Sequence, residues 1–246
     1  MPPPPHFDAR LAAARVLSPN VRELTFERVD GAPMAFEPGQ WVNVVLPVAI
    51  ASGSDTRRSY SIASAPDGSP RFDIAITRVQ GGPCSTWLHQ VETGAVLTFS
   101  GPQGFFTRPA ADPPPSLMIA TGTGVTPMRS MLLASAAAGA RAPTWLLLGV
   151  RHEADLLYRA ELEALAAAHP FLRFEPTLSQ PLGPWTGRRG YVQTHVRELW
   201  DGLAALGAGT PHAYVCGLER MISSVRDLLR KDMGLPRQQV HSERYD

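Results

Sequence analysis

Arg57-Arg58-Ser59-Tyr60-Ser61-Ile62-Ala63-Ser64 puts a guanidinium, an aromatic ring and hydroxyls on one short segment. The alternation of a half-buried strand would set Arg58, Tyr60 and Ile62 on one face, with Ser59 and Ser61 on the other. A guanidinium meets phosphate oxygens through a planar fork, and a tyrosine offers a flat apolar plate for a ring system such as an isoalloxazine. Ser61 would add a hydrogen bond at the ring edge. Taken alone, the segment is also accounted for by an edge strand with a solvated arginine and a packed tyrosine.

Further along, Met118-Ile119-Ala120-Thr121-Gly122-Thr123-Gly124-Val125-Thr126-Pro127 reads as a strand feeding a glycine turn and then a helix. Gly122 and Gly124 would let the backbone turn tightly and approach a ligand, Pro127 suits a first helical turn, and the exposed amides favour a pyrophosphate. A plain structural strand-to-helix turn is the alternative. The next strand ends Leu148-Gly149-Val150-Arg151, without the acid that would hold a ribose in the usual NAD arrangement. Instead, a loop with Ser179, Gln180, Arg188, Arg189 and Tyr191 offers groups suited to an adenosine bearing an extra phosphate, or simply a solvated arginine pair. Gly81-Gly82-Pro83-Cys84-Ser85-Thr86 opens a short helix whose free amides, with the Ser85 and Thr86 hydroxyls, would make a second anion cradle or an ordinary N-cap. Cys216, in Val215-Cys216-Gly217, sits where a parallel sheet puts its ligands, although a buried small thiol is common. The end of the chain, His241-Ser242-Glu243-Arg244-Tyr245-Asp246, carries an aromatic well placed to cover a flat cofactor.

Two kinds of scaffold must position these groups. From Ala9 to Ser100, six short runs read as strands of a small antiparallel barrel: Arg10 to Leu17, Val21 to Glu27, Gln40 to Leu46, Arg58 to Ile62, Phe72 to Arg78 and Val96 to Ser100. A helix is expected at Ser85 to Glu92. Ala110-Ala111-Asp112-Pro113-Pro114-Pro115 then reads as a stiff linker, since consecutive prolines continue neither a ladder nor a helix. Beyond it, strands alternate with helices in the manner of a doubly wound parallel sheet. The strands expected are Leu117 to Ala120, Thr144 to Leu148, Leu172 to Pro176, Ala213 to Cys216 and Gln239 to Ser242. The helices expected are Pro127 to Ala138, Tyr158 to Ala168, Tyr191 to Leu199 and Glu219 to Met233.

Composition narrows the chemistry. A 246-residue chain with 44% hydrophobic and 18% charged residues has material for one large or two small cores. Its formal charge of +1 asks for neither nucleic acid nor an anionic membrane. Among 23 basic residues the one lysine is Lys231, which leaves no P-loop or Schiff-base lysine beside a cofactor loop. Cys84 and Cys216 are too few to hold an iron–sulfur cluster, so an electron leaving the protein needs a separate partner. The seven histidines show no metal-ligand spacing. Met1 to Pro5 is a proline run without an apolar signal core, and the expected compartment is the cytoplasm.

The motifs Arg58-x-Tyr60-Ser61, Gly82-x-Cys84-Ser85-Thr86, Gly101-Pro102-Gln103-Gly104, Gly122-Thr123-Gly124-Val125-Thr126-Pro127, Tyr214-Val215-Cys216-Gly217-Leu218 and Glu243-Arg244-Tyr245 occur together and in this order in the plant-type ferredoxin–NADP reductase family, which the chain resembles from Ala9 to Asp246. The resemblance implies an N-terminal antiparallel Greek-key β-barrel holding FAD (1–110) and a C-terminal Rossmann-like parallel five-stranded sheet holding NADP(H) (116–246). It implies that Arg58 and the Gly82 to Thr86 turn hold the flavin diphosphate, that Tyr60 stacks on one ring face, that Ser61 bonds near N5 and that Tyr245 covers the other face. Ser59, Ala75, Ile76 and Thr77 join the flavin-binding set. Thr121, Gly122, Thr123, Gly124, Pro127, Ser179, Arg188, Arg189, Tyr191, Cys216 and Gly217 join the nucleotide-binding set. Nicotinamide would displace Tyr245 and sit against Cys216 and Glu243, so that Ser61, Cys216, Glu243 and Tyr245 form the catalytic set. The implied activity is hydride exchange between NADP(H) and flavin and one-electron exchange with ferredoxin or flavodoxin, by a monomer. Two departures qualify it: Gln180 stands where the family has an arginine for the 2′-phosphate, which leaves NAD(H) possible, and Asp246 follows the tyrosine that ends the plant-type chain. An oxygenase reductase component, a free-flavin or quinone reductase, and a non-catalytic flavin- or nucleotide-binding subunit are the competing readings.

Overall fold

The computed structural model describes residues 4–47, 50 and 56–245; most of the proline run's first residues and Asp246 lie outside them. The chain divides into two compact units, one running to Arg108 and including Thr126–Ala134, the other comprising Pro109–Val125 and the chain from Ser135 onward.

The first unit is built on six strands: β1 (His6–Ser18), β2 (Val21–Arg28), β3 (Trp41–Val45), β4 (Arg57–Ser61), β5 (Arg71–Thr77) and β6 (Val96–Gln103). They pair antiparallel in the order β4-β3-β6-β1-β2-β5, and a bridge between Ile62 and Ile74 joins the ends of the row into a barrel. β3, β4 and β5 follow one another and β6 returns beside β3, which is the Greek-key arrangement. Alternation explains the sidedness: Phe7, Ala9 and Leu11 of β1 are buried while His6, Asp8 and Arg10 are exposed. Phe7, Phe26, Phe72 and Phe99 meet inside with ring centroids 4.9–5.9 Å apart. Burial of each such ring contributes roughly 1.5–3 kcal/mol. The helix of this unit, α1 (Pro83–Gln90), starts two residues before the expected Ser85, because Pro83 has the fixed φ of a first helical position and needs no amide partner there.

A polar cluster lies beside this core. Arg129, on α2 (Val125–Ala137), is 8% exposed and donates to the Ala63 carbonyl at 2.9 Å, with the carboxylates of Asp73 at 3.4 Å and Glu23 at 3.8 Å. Glu23 also pairs with Arg15, and Thr25 donates to Asp73 at 2.7 Å. Burial pushes the Asp73 carboxyl above the ordinary range, reinforced by Glu23 and opposed by the Thr25 hydrogen bond and Arg129.

The second unit holds β7 (Ser116–Thr121), β8 (Thr144–Val150), β9 (Leu172–Leu178), β10 (Arg188–Arg189), β11 (His212–Gly217) and β12 (Val240–Arg244), all parallel, in the order β10-β9-β8-β7-β11-β12. Five of these strands are the expected ones. The sixth is the arginine pair itself, two residues added at an edge, too short for periodicity to announce. Leu117, Ile119, Leu147, Ala213 and Val215 pack with residues of α4 (Val196–Ala204) and α5 (Glu219–Asp227). Met118, Ala120, Leu146, Leu148 and Cys216, pointing the other way, are buried as well, which is why these strands read as continuous apolar runs. α3 (Arg159–Ala168) lies close to its expected span. The segment expected as one helix from Tyr191 divides into a 3₁₀ turn (Val192–Thr194) and α4, and α5 gives way to a wider π-type turn at Leu228–Asp232. Among the described residues no helix is long and apolar enough to cross a membrane.

Candidate functional site

On β4, Tyr60 packs against the barrel core that includes Ile62, while Ser61 is 4% exposed and paired in register with Trp41. Ser59 turns outward and donates to Asn43 Oδ1 at 2.9 Å on the neighbouring strand. Tyr60 Oη and Cys84 Sγ are 3.6 Å apart, so the Arg58-x-Tyr60-Ser61 segment and the Gly82 turn come together. Burial and the adjacent Cys84 push the Tyr60 phenol up, opposed by Arg58, and the ring stays neutral.

The Gly82 turn leads into α1 with no side chain capping its first amides. The amides at a helix start point along its axis away from the helix body, the direction from which an anion is bound. Ser85 works differently from the sequence reading: its Oγ accepts from Val79 N at 3.0 Å and donates to Gly82 O at 3.2 Å, fixing the turn from within. A Cβ on Gly82 would lie 2.9 Å from Ser85 Oγ, 3.1 Å from Val79 Cβ and 3.2 Å from Val79 O, so a side chain there would crowd the turn. Ala75 and Ile76 are buried on β5, and Thr77 ends that strand exposed.

In the second unit, β7 delivers Thr121 into a 3₁₀ turn, Gly122–Gly124, and then α2. β11 lies beside β7 with Cys216 opposite Ala120, so the glycine turn and Cys216-Gly217 flank the point where the strand order reverses. Open parallel sheets bind nucleotides at such a point. The two glycines divide the work. Gly122 has φ +53° and nothing within 4 Å of the place a Cβ would take, leaving its backbone open to a ligand. A Cβ on Gly124 would stand 2.2 Å from the Cys216 carbonyl oxygen, so this glycine admits β11 rather than a ligand. Thr121 Oγ1 is buried without a hydrogen-bond partner, and a Cβ on Gly217 would lie 2.3 Å from it. An orphaned hydroxyl beside a bare backbone fits a polar nucleotide at this edge.

The end of the chain belongs to the same edge. β12 pairs with β11 so that Glu243 stands opposite Cys216 and Arg244 opposite Gly217, and Tyr245 N donates to Gly217 O at 2.9 Å. The Cys216 thiol is pushed well up by burial and by Glu243, against a hydrogen bond with Tyr245, which keeps it neutral.

At the ends of β8, β9 and β10 the polar loop residues gather. Ser179 N and Gln180 N donate to the carbonyls of Val150 and Arg151 at 3.0 and 2.9 Å, bringing the β8 and β9 ends together. Arg189 is exposed and anchored through Nη2 to Trp185 O at 2.7 Å, and Tyr191 is 64% exposed. Arg188 is engaged otherwise. Its guanidinium takes both oxygens of Glu198 at 2.8 Å and Glu175 at 2.7 Å, and these bonds raise its pKa further. Arg151, exposed beyond β8, was visible in the sequence as the missing acid but not as a cation in its own right. Among the described residues no group of three or more His, Cys, Asp or Glu is placed to hold a metal ion.

Comparison with known proteins accords with this division. Residues 8–107 match the Oxidoreductase FAD-binding domain family and residues 118–227 the Oxidoreductase NAD-binding domain family. The chain is 58% identical over 241 residues to ferredoxin–NADP reductase B of Sorangium cellulosum, covering 98% of each protein. It is 30% identical to the phenol hydroxylase P5 protein of Acinetobacter pittii, covering 97% of this chain but 65% of that one. A ferredoxin NADP+ reductase from Neisseria gonorrhoeae, solved with FAD and NADP bound, shares the fold at a TM-score of 0.77 and 20% identity over 97% of this chain and 98% of that one.

Proposed function

The chain belongs to the ferredoxin–NADP reductase family, and from that premise we propose that it is an FAD-dependent ferredoxin–NADP(H) oxidoreductase. The observation that carries the reading is the 58% identity over nearly the whole length of a ferredoxin–NADP reductase, against 30% to a longer phenol hydroxylase component. FAD, when bound, would supply the chemistry of accepting a hydride from NADPH and passing electrons singly to ferredoxin.

In this reading each residue takes a role that its surroundings support. Arg58 and the first-turn amides of α1 bind the flavin diphosphate, with Ser59, Ala75, Ile76 and Thr77 completing the barrel side. Tyr60 offers a neutral plate, and Ser61 a buried hydroxyl at the N5 edge. Thr121, Gly122, Thr123, Gly124, Pro127 and Gly217 form the nucleotide turn. Cys216 supplies a neutral thiol against nicotinamide, Glu243 stands opposite it on the neighbouring strand, and Tyr245 is the ring that nicotinamide displaces. No protein nucleophile is needed, so these residues act by alignment and by excluding water. The 2′-phosphate falls to Ser179, Arg189 and Tyr191, with Arg151 as an added cation. Arg188, filled by two carboxylates, shapes that edge rather than gripping phosphate. Flavodoxin as an alternative acceptor, a monomeric state and a cytoplasmic location extend the same reading.

Purified protein is expected to be yellow, and release of FAD, identified by mass, tests the cofactor. Reduction assays with NADPH against ferredoxin, flavodoxin and free flavin test the acceptor; free flavin reduced in preference to both proteins would overturn it. Arg58→Ala should weaken FAD binding about 10–100-fold, the worth of a charge-assisted phosphate contact, measured by titration of the apoprotein. Arg189→Ala should raise KM for NADPH about tenfold or more and leave KM for NADH nearly unchanged; equal effects would remove Arg189 from phosphate recognition. Deleting Tyr245 and Asp246 should improve kcat/KM with NADH, and an unchanged value would mean that Tyr245 does not cover the flavin.

A further inference from the structure

Helix α1 is fastened at the end remote from its cradle. Arg22, on β2 opposite Ile76 of β5, donates from Nη1 to the carbonyls of His89 at 2.7 Å, Val91 at 3.0 Å and Leu88 at 3.3 Å. These carbonyls close the helix, where no later residue of the same helix can satisfy them. His89 Nε2 lies 2.9 Å from the Ile76 carbonyl and donates to it, so the cross-strand pair Arg22 and Ile76 grips the helix end at two points.

An eight-residue helix is well below the roughly 12–15 residues that a helix needs to persist by itself in water. Its first-turn amides keep their direction only while tertiary contacts hold the helix. Cys84 and Leu88 supply the apolar part of that hold, being buried at 4% and 0% exposure. Arg22 supplies the polar part, and its charge also complements the negative end of the helix dipole.

We propose that Arg22 is a positioning residue for the phosphate of the flavin cofactor, acting through α1 by keeping the first-turn amides of the Gly82 cradle converged on the anion. The proposal rests on the flavin reading above. Arg22 belongs to β2, outside every motif that marks the cofactor site, and it acts on the far end of the helix from the ligand.

The test is titration of the full-length apoprotein with FAD and with riboflavin, which lacks the phosphates, followed by flavin fluorescence. In Arg22→Met the dissociation constant for FAD should rise about 10–100-fold, the scale of loss seen when a residue that orients a metal's ligand is removed, while that for riboflavin changes less than about twofold. Arg22→Lys, which keeps a donor and the charge, should recover part of the loss. His89→Ala should show the same selectivity on a smaller scale, and it carries the test if Arg22→Met does not fold by circular dichroism. Equal weakening of FAD and riboflavin, or no weakening in a folded variant, would overturn the proposal as a positioning role. A wild-type protein that binds neither FAD nor riboflavin would overturn the flavin reading first and the Arg22 role with it.

Discussion

Gly124→Ala should cut kcat/KM for NADPH by at least about 100-fold, because a shift of about 1 Å in a positioning element is enough for such a loss. The added Cβ would stand 2.2 Å from the Cys216 carbonyl oxygen, 2.6 Å from the carbonyl carbon and 2.8 Å from Gly217 N. All three are backbone atoms, so no side chain can swing away and the turn or β11 must move. Overpacking of this kind typically costs about 1–3 kcal/mol, and more where the backbone is held on both sides. Here β11 is held between β7 and β12. The loss should appear with NADPH and NADH alike and leave FAD content unchanged, since the barrel does not contain this contact. Gly122→Ala provides the contrast. Its φ of +53° costs an L-residue about 1 kcal/mol, but the open space around it leaves the fold intact. Thermal unfolding followed alongside turnover separates the two variants. If Gly124→Ala keeps wild-type turnover, the close approach to Cys216 is not a constraint.

Arg129→Met should destabilise the first unit by about 3–5 kcal/mol near pH 7.5, the expected cost of removing one partner from a buried ionic group. Glu23 and Asp73 would keep their charges in a nearly dry setting with the shared guanidinium gone, and the Ala63 carbonyl would lose its donor. The sign of the pH dependence follows from Asp73, whose carboxyl is already raised by burial. A carboxyl with a raised folded-state pKa contributes most to stability when protonated, and that contribution is lost as pH rises through the folded value. Without Arg129 the carboxyl should rise further. The deficit measured by urea unfolding should therefore shrink between pH 7.5 and pH 5. A deficit of equal size at both values would show that the cation is not compensating these carboxylates.

What could be read from the sequence was local. The Arg58 to Ser61 segment, the Gly82 turn and the Gly122 turn each place their residues within one strand or one bend, and alternation and turn chemistry suffice to order them. The barrel strands were legible for the same reason, punctuated by glycine and proline. Roles set by distant chain were not legible. Gly124 resembles a ligand-approach glycine until β11 is seen against it, and the Ser85 hydroxyl resembles a cradle donor until Val79 is seen to occupy it. Arg188 and Arg189 are adjacent and chemically identical, yet Glu175 and Glu198 take the first and leave the second at the surface. Arg22 and Arg129 sit in ordinary strand and helix patterns, and only the fold reveals what their guanidinia hold.

β12 has a neighbour on one side only, and Tyr245 follows its last residue, held by a backbone hydrogen bond to Gly217 and a side-chain one with Cys216. Freeing that position requires only the end of one strand to lift. It is the fraying of a sheet margin, at a net cost of about 0.5–1.5 kcal/mol for each hydrogen bond released. By that measure the frayed form is a minor but standing fraction of the resting population, exchanging its amide proton quickly while the central strands stay protected. Under the role proposed for Tyr245, nicotinamide entry would be capture of a fluctuation the fold already makes, at a frequency set by the strength of one strand end.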